Sequence, residues 1–313
     1  MRMSPSVLAL AGPRWGADDA FRRMTLAFGL VIVGLAVAMG GTMAVNSRLA
    51  WRAFGLPFIW TSTWDPVAEV FGAWPFIWGT LVSSALALSV AVPLGLGTAV
   101  FLAEVAPRRL SDAASFAIEL LAAIPTVIMG LMGIFILVPL VRWAEPWLAR
   151  TLGFLPFFRG APYGVGMLTA GLLLAFIILP YIVSITREIM LTVPRSLREA
   201  ALGLGATKWE VVRLVVFPYA RSGVTGAVFL ALGRALGETM AVTMVIGNTP
   251  KVSLSLLEPG YSMAAVLANE FAEASSDLYV HSLVAIGLVL FGITIVVNAI
   301  ARLMIHRATV RAS

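Results

Sequence analysis

The sequence predicts an all-α membrane protein with six transmembrane helices, and three observations support this. Of the 313 residues, 60% are hydrophobic and 12% are charged, whereas an average soluble domain has about 25% charged residues. The apolar residues form six separate runs of roughly 20 residues, the length that an α-helix needs to cross a hydrocarbon core about 30 Å thick. Most lysines and arginines lie beside these runs, where basic residues orient a chain in a membrane. This composition argues against a soluble fold.

The six predicted spans cover residues 24–45, 79–103, 115–141, 164–185, 223–247 and 282–304. Residues 1–23 contain arginines but only a short apolar stretch, so they are expected to form a cytoplasmic tail before an uncleaved first span. Residues 305–313 form the corresponding tail at the other end. Between the tails, residues 24–75 are predicted to hold the first helix and its outer loop, and residues 76–304 a core of five helices.

The distribution of basic residues predicts the orientation of the spans. With the amino terminus inside, the cytoplasmic segments contain 15 lysines and arginines and the outer loops contain six. Because basic residues concentrate on the cytoplasmic side, both termini are predicted to be cytoplasmic in a multi-pass protein of the inner membrane. The formal net charge of +6 is therefore interpreted as a result of topology and contact with lipid, and not as a sign of nucleic-acid binding.

The first and last outer loops differ in composition. The first contains five of the nine tryptophans, namely Trp51, Trp60, Trp64, Trp74 and Trp78. These rings are interpreted as an aromatic belt at the membrane interface. The last outer loop, residues 248–279, is more polar and acidic. Within it, residues 262–273 are predicted to form a short helix at the membrane surface with Ser262 as its N-cap, or a docking surface for an external partner.

Two prolines and one carboxylate interrupt the apolar composition of the second and third spans. Pro93 and Pro125 each remove a backbone donor and are expected to kink their helices. Such kinks occur in helices that line a central path and in helices that simply pack well. Glu119, near the cytoplasmic start of the third span, is a candidate buried charge whose partner the sequence does not identify.

The loop between the fourth and fifth spans, residues 194–218, is unusually polar for this chain. Its first part has a helix-forming composition, and Gly203 and Gly205 then break or turn the helix. A short helix, a glycine turn and a second helix are therefore predicted. On physical grounds alone, this element is either an ordinary solvated loop or a rigid knob that fits a groove on another protein and transmits its movement.

The fifth span contains two opposite charges, Arg234 and Glu238. A single charge at the centre of a bilayer costs about 2.5 to 3.5 kcal/mol on insertion scales, so it is expected to face partners or a water-filled path. Their spacing of four places both residues on one helix face, where they can pair. One interpretation is a structural ion pair. The other is that Arg234 lies along the route of an anion, since a guanidinium offers several donors to an oxyanion, with Glu238 as its counter-charge.

Several kinds of site are absent from the sequence. A P-loop needs a lysine followed by serine or threonine, but the only two lysines are Lys208, followed by Trp209, and Lys251, followed by Val252. The chain therefore cannot bind ATP through that motif. The chain has no cysteine and two histidines, so no thiolate or histidine metal cluster is expected. The chain is predicted to bind no cofactor and to catalyse no reaction itself.

The 194–218 loop resembles the EAA signature of binding-protein-dependent ABC importer permeases. The matching positions are Glu199, Ala200, Ala201, Gly205, Val215 and Pro218. Phe217 departs from the signature, because the family usually has leucine there, but the change is conservative. The resemblance implies that this loop is a coupling helix that docks on a cytoplasmic ATPase.

Three further stretches resemble phosphate-specific permeases of this family, particularly the PstC type: residues 121–130, 233–248 and 268–274. The resemblance implies a type I ABC importer fold that moves inorganic phosphate into the cytoplasm by alternating access. Arg234 is then the residue expected to contact or gate the anion, with Glu238, Thr239 and Thr243 in the same pathway.

The same resemblance implies partners for the chain. These are a homologous PstA-type permease, two copies of a PstB-type ATPase that uses ATP and Mg, and an extracytoplasmic PstS-type phosphate-binding protein. Three alternatives stay open: a permease for another oxyanion such as sulfate or molybdate, an ion-coupled secondary transporter, and a largely regulatory subunit that senses external phosphate.

Overall fold

A computed structural model describes residues 15–310 of the chain, and this part is helical with no strand. The helices are α1 (Trp15–Asn46), α2 (Arg48–Phe54), α3 (Trp74–Val100), α4 (Arg108–Ala122), α5 (Thr126–Met132), α6 (Val138–Leu152), α7 (Met167–Leu191), α8 (Arg195–Gly203), α9 (Lys208–Val211), α10 (Phe217–Gly237), α11 (Met240–Val245), α12 (Met263–Glu270) and α13 (Asp277–Val310). The all-α fold class is confirmed.

Six helical stretches within residues 15–310 are long and apolar enough to cross a membrane, which confirms the predicted number of spans. They are Asp18–Asn46, Trp74–Val105, Thr126–Leu152, Met167–Leu191, Lys208–Gly237 and Asp277–Ile305, and the fifth is the least apolar. The helix α1 begins inside the predicted amino-terminal tail and α13 continues into the predicted carboxyl-terminal tail. The remaining parts of those tails, residues 1–14 and 311–313, lie outside the described residues.

The third span is not the single kinked helix that was predicted over residues 115–141. Instead, α4 ends at Ala122 and a separate helix begins at Thr126, directly after Pro125. Pro125 disfavours a helical conformation for the residue before it, so it starts a new helix rather than bending an existing one. Glu119 lies on α4 and is exposed, so the prediction of a buried charge there is wrong for this chain. Pro93, in contrast, lies within the uninterrupted helix α3.

Three short π-helical turns occur in the spans, at Phe101–Val105, Gly133–Leu137 and Val212–Val216. Each is followed, two residues after its last member, by a proline: Pro107, Pro139 and Pro218. The residue before each proline donates its N–H to the carbonyl five positions earlier. Because proline has no N–H to continue the ordinary ladder, the wider turn relieves the mismatch in the preceding helix.

The helices α3 and α7 form the tightly packed centre of the fold. Two glycines allow this approach: a Cβ on Gly95 would lie 2.7 Å from Ile182, and a Cβ on Gly171 would lie 2.5 Å from Leu86. The helix α10 packs beside this pair, α13 packs against α10, and α1 is peripheral, in contact with α13 and α2. A displacement of α3 at one end is therefore shared by α7.

A second core lies at the amino-terminal end of α3, where the segment before it and the segment 248–276 pack together. Gly79 is in direct contact with this segment, since a Cβ there would lie 2.2 Å from the backbone oxygen of Tyr261. The neighbouring Thr80 hydroxyl accepts a hydrogen bond of 2.9 Å from the N–H of Met263. The second turn of α3 is thus fixed to a segment almost two hundred positions later in the chain.

This contact makes a prediction about stability. Gly79→Ala is expected to destabilise the protein by about 1 to 3 kcal/mol, because a backbone oxygen cannot move aside as a side chain can. Gly97→Ala is the matched control, because Gly97 lies on the same helix and a Cβ at that position would have no neighbour within 4 Å. This control is expected to be neutral or slightly stabilising, since alanine favours helices. Thermal unfolding of both purified variants in detergent tests this, and equal midpoints would contradict it.

Candidate functional site

The fifth span is broken where the sequence predicted a continuous helix over residues 223–247. The helix α10 ends at Gly237, Glu238 has extended backbone angles, and α11 begins at Met240. The Glu238 carboxylate accepts a hydrogen bond of 3.3 Å from the N–H of Ala241, which gives one donor of the new helix a partner. Non-helical backbone at membrane depth is tolerated where it is buried in protein or lines a water-filled cavity.

Arg234 lies one turn before this break. Its guanidinium carbon is 4.4 Å from the centre of the Tyr181 ring, an arrangement that stabilises a cation by about 0.5 to 2 kcal/mol. Its Nε atom is buried without a hydrogen-bond partner. Among residues 15–310, no carboxylate forms a salt bridge with it. The positive charge is therefore held by an aromatic face and keeps an unused donor.

The predicted ion pair between Arg234 and Glu238 is wrong in this structure. The prediction assumed that one helix carries both residues on the same face. The helix ends between them, and the buried Glu238 carboxylate turns to the N–H of Ala241 instead. Arg234 consequently has no counter-charge from its own span.

Thr239 and Thr243 form part of the local hydrogen bonding at the break. The Thr239 hydroxyl donates to the carbonyl of Gly237 at 3.2 Å, and the Thr243 hydroxyl donates to the carbonyl of Thr239 at 2.7 Å. The side chain of Asn248 donates to the carbonyl of Thr243 at 2.9 Å, and its own Oδ1 is buried without a partner. The segment from Arg234 to Asn248 thus contains two buried side-chain atoms without a hydrogen-bond partner, the donor Nε of Arg234 and the acceptor Oδ1 of Asn248.

The predicted helix, glycine turn and second helix in the 194–218 loop are present as α8, Gly205 and α9. Gly205 has φ of +89°, a left-handed conformation that glycine adopts without a steric cost. The turn ends in a capping box, in which Thr207 and Glu210 satisfy each other's backbone N–H groups. Pro218 lies in the first turn of α10, directly after the π-helical turn that accommodates its missing N–H.

The α8–α9 segment presents a mixed polar and apolar surface. Glu199 and Ala200 are exposed, and Ala201 is half-buried. Leu204 is 90% exposed and Trp209 is 66% exposed. Large apolar side chains this exposed on a rigid element are typical of a surface that another protein covers.

The aromatic residues before α3 are not a simple interfacial belt. Trp64 is buried and donates a hydrogen bond of 2.8 Å to the Glu270 carboxylate, which also accepts one of 2.6 Å from the Tyr279 hydroxyl. Trp78 donates to the carbonyl of Ser253 at 2.7 Å. Trp60 remains exposed. The belt interpretation is therefore wrong for Trp64 and Trp78, which hold two distant parts of the chain together.

The helix predicted in residues 262–273 is present as α12, with Ser262 as its N-cap. Its first turn is buried against α3 and α13. The adjacent Tyr261 accepts a hydrogen bond of 3.1 Å from Asn269, and burial raises the pKa of its hydroxyl.

Sequence reasoning missed Tyr181 as a partner of Arg234. It is one of five tyrosines and the only one within the predicted fourth span. An isolated aromatic residue with a polar tip in an apolar span was the available signal, but the sequence does not say which helix it faces.

Comparison with known proteins places these features in a family. The family model described as "Binding-protein-dependent transport system inner membrane component" matches residues 91–310. The phosphate transport system permease protein PstC of Mesorhizobium japonicum is 46% identical over 299 residues, which cover 94% of this chain and 91% of that protein. The protein of the same name from Haemophilus influenzae is 46% identical over 295 residues, covering 93% of each chain.

Solved structures support the fold. A bacterial ABC transporter involved in the import of the acidic polysaccharide alginate has a chain with a TM-score of 0.60 and 16% identity, covering 93% of this chain and 98% of that one. An inward-facing structure of the MetNI methionine ABC transporter gives a TM-score of 0.54 at 17% identity, covering 79% of this chain and 99% of the other. The fold is thus that of type I ABC importer permeases. The chain belongs to the family of binding-protein-dependent transport system inner membrane components and, within that family, to the PstC permeases.

Proposed function

We propose that this chain is the membrane permease subunit of an ATP-driven importer that moves inorganic phosphate into the cytoplasm. The observation that carries the proposal is the guanidinium of Arg234, which lies beside a break in a membrane-spanning helix and has no carboxylate partner among residues 15–310. A guanidinium is well matched to phosphate, because its planar N–H groups bind two oxygens of an oxyanion at once. The 46% identity to phosphate permeases supports the same substrate.

The route of the anion passes the break between α10 and α11. Arg234 provides the positive charge, and Thr239 and Thr243 provide hydroxyl groups next to backbone that is not helical. Glu238 has the role of shaping the break through its hydrogen bond to Ala241, and it adds a negative charge that keeps a bound anion from being held too tightly. An anion must bind well enough to enter and weakly enough to leave.

The α8–α9 segment is the docking surface for the ATPase. Permeases of this family work with an ATPase and a substrate-binding protein, and we assign these roles to a PstB-type ATPase in two copies and a PstS-type phosphate-binding protein. A PstA-type permease completes the pathway. ATP and Mg are used by the ATPase, and this chain itself is not catalytic.

The orientation follows from the proposed docking. Six spans in the inner membrane, with the α8–α9 segment in the cytoplasm, place both termini in the cytoplasm. ATP binding closes the ATPase dimer, moves the two α8–α9 segments together and opens the pathway outward, and hydrolysis resets it. In this arrangement the first helix and its outer loop occupy residues 24–75, and the transport core occupies residues 76–304.

Uptake of labelled phosphate tests the proposal. The complete complex is reconstituted in vesicles, with the binding protein outside, with and without internal ATP, and with excess sulfate or molybdate as competitors. The expected result is uptake that needs ATP and is unaffected by the competitors. Uptake driven by a proton gradient would show that ATP is not the energy source. Uptake abolished by another oxyanion would show that the pathway is not specific for phosphate.

A further inference from the structure

A single guanidinium joins three parts of the structure at the base of the α8–α9 segment. Arg198, on α8, forms a salt bridge of 2.8 Å with Glu104, in the π-helical turn that follows α3. Its Nε atom also donates to the same carboxylate oxygen at 3.2 Å. The remaining donors go to the carbonyls of Met190, at 2.8 Å, and of Val193. These two carbonyls lie in and just after the last turn of α7.

The arrangement is largely shielded from solvent. The side chains of Arg198 and Glu104 are 17% and 13% exposed, so their interaction is screened less than that of a surface pair. The carbonyls at the end of α7 lack the N–H groups of a continuing helix and favour a positive charge there, although the N–H of Val193 donates to the carbonyl of Met190 at 3.2 Å. Arg198 therefore satisfies acceptors of two membrane helices with one rigid, planar group.

The backbone of α8 packs mainly against α9 and the following π-helical turn rather than against α3 or α7. A groove of about 770 Å³ lies beside the pair, bounded by Phe101 and Phe217 and by Trp209 of the α8–α9 segment. The contact between Arg198 and Glu104 spans 94 positions of the chain. It is a direct polar connection between the exposed segment and the end of α3.

We propose that Arg198 and Glu104 form a joint that transmits movement of the α8–α9 segment to α3 and α7. The proposal deepens the proposed function, since it assumes that the segment docks on an ATPase. Arg198 is a positioning residue that touches neither phosphate nor nucleotide. Because α3 and α7 are packed closely through Gly95 and Gly171, a push at their shared end moves the pair as one body. Without the joint, ATP hydrolysis continues but moves the pathway less often.

The ratio of phosphate transported to ATP hydrolysed measures this role directly. The reconstituted complex is compared with Glu104→Gln, Arg198→Gln and the double variant, and ATPase co-purification is recorded for each. We expect each single change to lower the ratio by roughly tenfold with a full complement of bound ATPase. The double variant should lose no more than the more affected single one, because both changes break the same contact.

The control is Glu188→Gln, which removes the charge of a 70% exposed carboxylate that pairs with Arg187 in the last two turns of α7. It should keep the ratio of the unchanged complex. An unchanged ratio in Glu104→Gln would overturn the joint, as would losses that multiply in the double variant. Loss of ATPase from the Arg198→Gln complex would also overturn it, because the residue would then act in docking. If the complex with Arg198→Gln does not assemble, the ratio of phosphate transported to ATP hydrolysed in the complex with the isosteric change Glu104→Gln tests the joint alone.

The outcome for the joint is separable from that for the proposed function. Uptake by the unchanged complex that does not need ATP overturns the proposed function. Uptake that needs ATP, with variants that transport normally per ATP, overturns the joint alone.

Discussion

Arg234→Gln is expected to abolish phosphate uptake while the complex still assembles. The substitution removes the positive charge at the break in the fifth span and replaces up to five N–H donors by two. A hydrogen bond to a charged group contributes about 1.5 to 3 kcal/mol, so the loss of two such bonds to phosphate lowers the transport rate by roughly a hundredfold or more. Because Arg234 has no salt bridge within residues 15–310, its removal leaves no buried carboxylate without a partner.

The measurement is labelled phosphate uptake by vesicles that contain equal amounts of assembled complex. Arg221→Gln is the matched control, because Arg221 lies on the same helix but is exposed near its start. Arg234→Lys tests the geometry: it keeps the charge, loses the planar group and should retain only a small part of the uptake. Uptake by Arg234→Gln at the unchanged rate would exclude the proposed role of this residue.

Glu199→Lys is expected to release the ATPase from the complex. Glu199 is exposed on α8, at the surface that we assign to docking. Reversal of a charge at an interface places like charges against each other and costs several kcal/mol, so the affinity for the ATPase should fall by at least roughly tenfold. The helix itself should persist, since lysine and glutamate have similar helix propensities.

Co-purification of the ATPase with the tagged permease measures this effect. Glu273→Lys, an equally exposed glutamate in the segment predicted to lie outside, is the control and should keep the full ATPase complement. A full complement with Glu199→Lys would mean that α8 is not the docking surface.

The spans were predictable because the membrane imposes a length and a composition on every crossing helix. The interruptions of the helices were harder to predict, because the apolarity averaged over a span of about 20 residues hides a local break. Pro125 and Gly237 were both visible in the sequence, but a proline or glycine inside a membrane helix often leaves the helix continuous, as Pro93 does in α3. Whether the helix ends at such a residue depends on side chains and neighbours that the pattern does not specify.

The features of the candidate site also divide into those that the sequence predicted and those that it did not. The helix, glycine turn and second helix of the α8–α9 segment follow from local composition and glycine spacing, whereas the coupling residues within it were identified by their resemblance to the EAA signature. The contact partners of Arg234 and Glu270 were not predicted, because Tyr181 lies on a different helix from Arg234 and Trp64 lies 206 positions away from Glu270. Contacts between distant segments leave no periodic pattern in either segment.

The low apolarity of the fifth span has a consequence for the synthesis of the protein. This span is the least apolar of the six within residues 15–310, and it contains Arg234. A segment that contains an arginine and is less apolar leaves the translocon for lipid less readily than a uniformly apolar one. The sixth span, which is strongly apolar, packs against α10. We therefore expect the fifth span to enter the bilayer together with the sixth, as a helical hairpin, rather than alone while the ribosome is still translating the residues behind it.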